Sequence, residues 1–139
     1  MRMWAAASSH KEVIEESRSL LAALGIADDA ATRVADLPYG KQRLVEIAIA
    51  LGLKPKVLLL DEPAAGVPSH ESGIILSNLA KLPPEIAILI IEHDMDLVFR
   101  FAQRITVLVQ GQVLVEGTPQ DIAADARVRS VYLGEATHA

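Results

Sequence analysis

Two acidic runs carry the side chains best suited to chemistry. Asp61-Glu62 directly follows the apolar run Val57-Leu58-Leu59-Leu60, and Glu92-His93-Asp94 follows a second one, Ile86 to Ile91. Carboxylates supply the oxygen ligands that Mg²⁺ prefers and can accept a proton from water. A histidine can donate to a phosphate oxygen. Brought to one place, these groups suit phosphoryl transfer to water. Each also has a plainer reading. An acidic pair after a strand is more often a turn with a helix cap, and a single histidine is more often structural or solvated. Leu37-Pro38-Tyr39-Gly40-Lys41-Gln42, taken alone, reads as the start of a helix, and His10, His70 and His138 read as surface residues.

What must position these residues is legible in the periodicity. Both apolar runs are hydrophobic at every position, as strands buried on both faces tend to be. Between them a helix is predicted over Ser69–Lys81, with Ser69 as its cap and Ile74, Ile75 and Leu79 facing inward. Leu82-Pro83-Pro84-Glu85 ends it, since proline lacks the amide donor. Strand, helix, strand reads as a right-handed βαβ unit. Ligands of parallel sheets bind beyond the carboxyl ends of the strands, which is where both acidic runs lie.

The flanks are also assignable. Ser9-His10-Lys11-Glu12 has the capping-box pattern, and Val13, Ser17, Leu20, Leu21 and Leu24 recur at helical spacing before Gly25. A short helical piece is expected after Asp28-Asp29, and a second helix over Gly40–Gly52 with Leu44, Val45, Ile47, Ala48 and Leu51 on its apolar face. A helix near Asp94–Ala102 precedes strands at Ile105–Val109 and Gln112–Glu116, joined by a turn at Gln110-Gly111. Thr118-Pro119-Gln120-Asp121 opens a further helix, with Thr118 as cap and Pro119 in its first position.

Composition narrows the function classes. The chain has 139 residues, 51% of them hydrophobic and 22% charged, which excludes a disordered tail. Thirteen Lys and Arg against 18 Asp and Glu give a net charge of −5, scattered so that no basic stripe invites nucleic acid. With no cysteine, disulfides, thiolate metal sites and thiol catalysis are excluded, which fits a reducing, cytoplasmic setting. The longest apolar run, Ile86 to Ile91, is far short of the ~20 residues a membrane-spanning helix needs. Any link to a membrane is expected to run through a partner.

The order of the motifs resembles the ATP-binding cassette of ABC transporters. Leu37-Pro38-Tyr39-Gly40-Lys41-Gln42-Arg43 stands where that family has its signature motif, and Val57-Leu58-Leu59-Leu60-Asp61-Glu62-Pro63 matches its Walker B strand. Ala64-Ala65-Gly66-Val67-Pro68 falls at the D-loop, and His93 at the switch histidine. The Pro-Tyr-Gly signature, Asp61-Glu62-Pro63-Ala64-Ala65-Gly66 and Ile91-Glu92-His93-Asp94-Met95 resemble the branched-chain amino acid importers in particular. So do Gly117-Thr118-Pro119-Gln120-Asp121-Ile122 and Val131-Tyr132-Leu133-Gly134-Glu135.

The resemblance implies an α/β fold, a partial P-loop NTPase cassette with three segments. These are a helical subdomain with the signature motif (1–52), a Walker B and switch-histidine core with its hairpin (53–117), and a C-terminal extension (118–139). It implies that Asp61 holds Mg²⁺ through water, that Glu62 polarises the attacking water and that His93 contacts the γ-phosphate. Leu37, Gly40 and Gln42 would present the signature helix to ATP bound mainly by a second cassette. The helix N-terminus near Gly40 suits that task, because its amides and dipole attract phosphate. The implied partners are transmembrane permease subunits and a second cassette, which would place the chain at the inner face of the plasma membrane.

Three departures qualify this. Pro38 and Tyr39 replace the usual signature serine and glycine, and Pro68 stands at a D-loop position usually held by a small polar residue or Asp. The sequence also has no Gly-x-x-x-x-Gly-Lys-Ser/Thr; its single Gly-Lys, Gly40-Lys41, precedes Gln42. The expectation is therefore a C-terminal portion of a cassette: a gene fragment, a misplaced start or half of a split cassette. Phosphoryl transfer depends on positioning and charge neutralisation, so the chain alone should bind ATP poorly and hydrolyse almost none. Two alternatives stay open. One is a non-catalytic module whose helices dock on a permease or a complete cassette. The other is an independent metal-dependent hydrolase built on Asp61, Glu62, His93 and Asp94.

Overall fold

A computed structural model describes residues 10–133. The chain forms two compact units, one running up to His93 and the other starting at Asp94.

The first unit opens with helix α1 (Lys11–Ala23), whose N-cap is His10 without a side-chain cap bond. The expected cap, Ser9, lies outside the described residues. Gly25 at φ +71° ends α1 in the left-handed conformation, with Gly25 N–H bonded to Ala22 O and Ile26 N–H to Leu21 O. That is the paired bond pattern that satisfies the last free carbonyls of a helix. Of the residues recurring at helical spacing, Leu24 is buried and Leu20 and Leu21 are half-buried, whereas Val13 and Ser17 are exposed. Single 3₁₀ turns at Ala27–Asp29 and Val34–Asp36 lead to α2 (Tyr39–Leu51). Leu44, Ile47, Ala48 and Leu51 of α2 are buried at the i, i+3, i+4, i+7 spacing of one helix face.

Strand β1 (Val57–Asp61), helix α3 (Ser69–Leu79) and strand β2 (Ala87–Ile91) complete the unit. The strands pair in parallel and in register from Val57↔Ala87 to Asp61↔Ile91, so both acidic runs leave the sheet at the same edge. Two expectations are corrected here. Ser69 is the first helical residue, not the cap; the cap position belongs to Pro68, whose missing donor costs nothing there. Ile74 faces out at 53% exposure, because the inner stripe of α3 is Ser72, Ile75, Leu76 and Leu79, and Ile74 sits about 100° off it.

The strands are also not buried on both faces. Leu58 is buried, but Val57, Leu59, Leu89 and Ile91 are between 56% and 69% exposed. Burial alternates along β1, and the apolar residues of the alternate positions are left bare. The sequence is patterned for a sheet with two covers.

The second unit begins with α4 (Met95–Phe101), capped by Asp94, whose Oδ1 accepts from Leu97 N–H. Strands β3 (Ile105–Val109) and β4 (Gln112–Gly117) form an antiparallel hairpin with a bulge between Val107 and Leu108. Its turn, Gln110-Gly111, has positive φ at both residues, the geometry that matches strand twist in a two-residue loop. Helix α5 (Pro119–Ala124) opens as expected: Thr118 and Asp121 exchange capping bonds, and Pro119 occupies the first turn. A helical turn α6 (Ala126–Val128) continues to Leu133 as a wider π turn. Ile105, Val107, Ile122 and Val128 form this unit's core, with Val98, Phe99, Leu114 and Val115 packed against it.

Candidate functional site

The site is assembled at the carboxyl edge of the parallel pair. Asp61 ends β1 and is exposed. Glu62 follows with φ +45°, a left-handed conformation that costs a non-glycine residue about 1–2 kcal/mol. Two backbone bonds hold it there: Glu62 N–H donates to Ile91 O at 2.9 Å, and Ala65 N–H donates to Glu62 O at 3.0 Å. Strain maintained at one residue by its surroundings is characteristic of a functional turn. The turn sends the Glu62 side chain towards His93, whose Nδ1 lies 3.0 Å from Glu62 Oε1. Both side chains are open to solvent, 46% exposed for Glu62 and 75% for His93.

Three of the expected site residues thus gather at one strand edge: Asp61, Glu62 and His93. The Asp94 carboxylate caps α4. Among the described residues no group of three or more His, Asp or Glu side chains could hold a metal. Glu92 has a role the sequence did not reveal. Its Oε1 accepts from Ala64 N–H at 3.3 Å, tying the end of β2 to the loop after Glu62.

The other expected residues sit on the turn into α2. Leu37 is buried, and its carbonyl accepts from Gln42 Nε2 at 2.9 Å, so Gln42 folds back on the turn. Gly40 is buried close to α3: an added Cβ would lie 2.5 Å from Glu71 Oε2, displacing that carboxylate, and 3.4 Å from Val67 Cγ1. Lys41 Nζ bonds both carboxylate oxygens of Asp29, at 2.7 and 3.0 Å. No sequence signal pairs two residues twelve positions apart across a turn.

Tyr39, the residue in place of the usual signature glycine, has a distinct setting. The Arg43 guanidinium lies over its ring, 5.0 Å from the centroid, and Arg43 Nη2 donates to Tyr39 Oη at 2.5 Å. Glu46 accepts from Arg43 at 2.7 Å, and that bond raises the Arg43 pKa above its usual value, with the charge of Glu46 adding to it. Gly66 (φ +73°) passes close to this ring, since a Cβ there would sit 3.4 Å from Tyr39 Cε1. The start of α2 and the loop after Glu62 are therefore packed together.

Comparison with known proteins agrees with this geometry. Residues 5–65 match the family described as ABC transporter, and residues 112–138 match the family described as branched-chain amino acid ATP-binding cassette transporter. The chain is 38% identical over 130 residues to the high-affinity branched-chain amino acid transport ATP-binding protein BraF of Pseudomonas aeruginosa, covering 92% of this chain and 51% of that protein. Identity to the corresponding protein LivG of Escherichia coli is also 38%, with the same coverage. Among solved structures, an ATP-binding cassette of an ABC transporter in its ADP conformation superposes with a TM-score of 0.76 at 31% identity, over 89% of this chain and 51% of that one. The cassette cbiO1 of Clostridium perfringens gives 0.76 at 30%, over 94% and 52%.

Over most of its length the chain is similar to the ATP-binding cassettes of ABC transporters. Residues 112–138 match the branched-chain amino acid type. It spans about half the length of the curated relatives it matches.

Proposed function

We propose that this chain is the signature and Walker B portion of the ATP-binding subunit of an importer for branched-chain amino acids. It contributes to ATP hydrolysis coupled to transport when a phosphate loop and a permease accompany it. The observation that carries the reading is the 3.0 Å contact between Glu62 and His93 at the ends of adjacent parallel strands. Residues 1–52 act as the helical subdomain, 53–117 as the hydrolytic core and 118–139 as the subfamily extension.

Each residue takes a role its chemistry allows. Glu62 accepts a proton from, and so polarises, the attacking water. His93 donates to the γ-phosphate. With Glu62 accepting at Nδ1, the imidazole can donate from Nε2 only as the doubly protonated ring; otherwise the contact must break. Leu37 and Gly40 hold the turn that aims the α2 N-terminus at ATP on a second cassette, with Gln42 bracing it. The donor set at the strand edge fits Mg²⁺: Asp61 offers an exposed carboxylate, and this ion is usually bound by one or two carboxylates, water and substrate phosphates. Bound there, Mg²⁺ supplies neutralisation of phosphate charge.

The names of the relatives support the rest. BraF and LivG are named as branched-chain amino acid transport ATP-binding proteins, and cbiO1 as part of a transporter complex. Among the described residues no helix is long and apolar enough to cross a membrane. On the strength of the relatives' names, we propose that the chain lies at the cytoplasmic face of the plasma membrane, held by permease subunits and paired with a second cassette.

A chimera in which the first half of BraF supplies the phosphate loop tests the reading. Mg²⁺-dependent ATP hydrolysis is expected, falling about 10²–10⁴-fold in Glu62→Gln with nucleotide binding retained. A chimera that binds Mg-ATP and whose turnover ignores Glu62→Gln would overturn the assignment.

One observation favours a second reading, a non-catalytic docking module. An open groove of about 610 Å³ beside α1 is lined by Val13, Ile14, Leu21 and Ala30. Capture of a permease without nucleotide dependence, by a chain carrying Glu62→Gln, would select that reading.

A further inference from the structure

Ala64 is a buried residue, 8% exposed, in the loop that leaves the strained Glu62. Buried backbone N–H groups need acceptors, and leaving one unpaired is costly. Here the acceptor is a side chain from the other strand: Glu92 Oε1 at 3.3 Å. Glu92 is half-buried, and the residue after it is His93, which meets Glu62 at 3.0 Å. Two consecutive residues beyond β2 therefore hold the same turn. One grips its backbone at Ala64, and the other meets the side chain it carries at Glu62.

The remaining bonds hold Glu62 itself but not the loop that follows it. Glu62 N–H to Ile91 O extends the strand pairing by one residue, and Ala65 N–H to Glu62 O closes a turn within the loop. Neither ties the loop beyond Glu62 back to β2. The Glu92–Ala64 bond does, and its charged acceptor makes it stronger than a neutral bond of the same length. A left-handed Glu62 persists only while its surroundings hold it.

We propose that Glu92 is a positioning residue: by accepting from Ala64 N–H it fixes the turn that aims Glu62 at His93. It does not touch the reacting atoms, and its relevance to hydrolysis rests on the function proposed above. Its effect on the turn does not.

The test uses the isotopically labelled 139-residue chain without nucleotide, reading Ala64 amide exchange and the His93 ring-nitrogen spectrum. In the native chain Ala64 exchanges slowly, and neutral His93 is the Nδ1–H tautomer because Glu62 accepts there. Glu92→Ala is expected to speed Ala64 exchange about tenfold and to shift His93 towards Nε2–H. Glu92→Gln, whose amide oxygen still accepts, should keep both readouts near native. A folded Glu92→Ala chain with unchanged exchange and tautomer overturns the proposal. If Glu92→Ala does not fold, Glu92→Gln decides: slow Ala64 exchange supports it, and fast exchange in a folded chain overturns it. ATP turnover enters neither readout, so this proposal and the function can fail separately.

Discussion

At Glu62 the backbone is at φ +45° and the side chain faces His93, so conformation and chemistry are set together. A neighbouring position shows the same economy. Gly66 is left-handed at φ +73° and has Tyr39 Cε1 3.4 Å from where a Cβ would be. Gly66→Ala adds both a disfavoured conformation and a tight contact. It should cost about 1–2 kcal/mol, seen as a lower urea midpoint at unchanged slope. Tyr39→Ala in the same background should recover part of that loss, since it opens the space. That Glu62 and His93 meet was legible in the sequence, because both follow apolar runs whose parallel pairing puts their ends at one edge. The partners of Glu92, Tyr39 and Lys41 were not. Each depends on a loop path, and neither spacing nor periodicity encodes one.

Secondary-structure elements were more legible than their faces. The apolar runs of β1 and β2, the proline stop after α3 and the Thr118-Pro119 cap each name their element through a local physical rule. Ile74 was misplaced because an apolar residue beside a helix's inner stripe looks the same in sequence as one within it. Burial now separates the positions. Leu58→Ala, at a site 5% exposed, should destabilise by about 2–5 kcal/mol, whereas Leu59→Thr, at 69% exposure, should leave the urea midpoint nearly unchanged. The turn at α6 yields a pH test. The Arg127 side chain bonds the Asp125 carboxyl and lowers its pKa from 3.8 to about 2. A lowered folded-state pKa stabilises the fold above the unfolded value, and that contribution is lost as pH falls through the folded one. The stability of the C-terminal unit should therefore fall between about pH 4 and pH 2, with the slope reduced in Asp125→Asn, as read by denaturant midpoints at each pH.

For the molecule as a whole, Asp61, Glu62 and His93 lie at one strand edge. The sheet carries Val57, Leu59, Leu89 and Ile91 bare on one face, and no Gly-x-x-x-x-Gly-Lys-Ser/Thr occurs to cradle phosphate. The resemblance to ATP-binding cassettes was readable from motif order because residues 37–43, Asp61-Glu62 and His93 follow one another in that order along the chain. The uncovered face was not readable from strand composition, which is the same whether or not a second cover is present. The most direct test is equilibrium titration of the purified chain with a fluorescent ATP analogue and Mg²⁺. The account predicts no saturable binding up to millimolar concentration, because Asp61, Glu62 and His93 without a phosphate cradle cannot hold the nucleotide. Saturable micromolar binding that weakens in Asp61→Asn would contradict it, showing that another segment of this chain does the work of the phosphate loop.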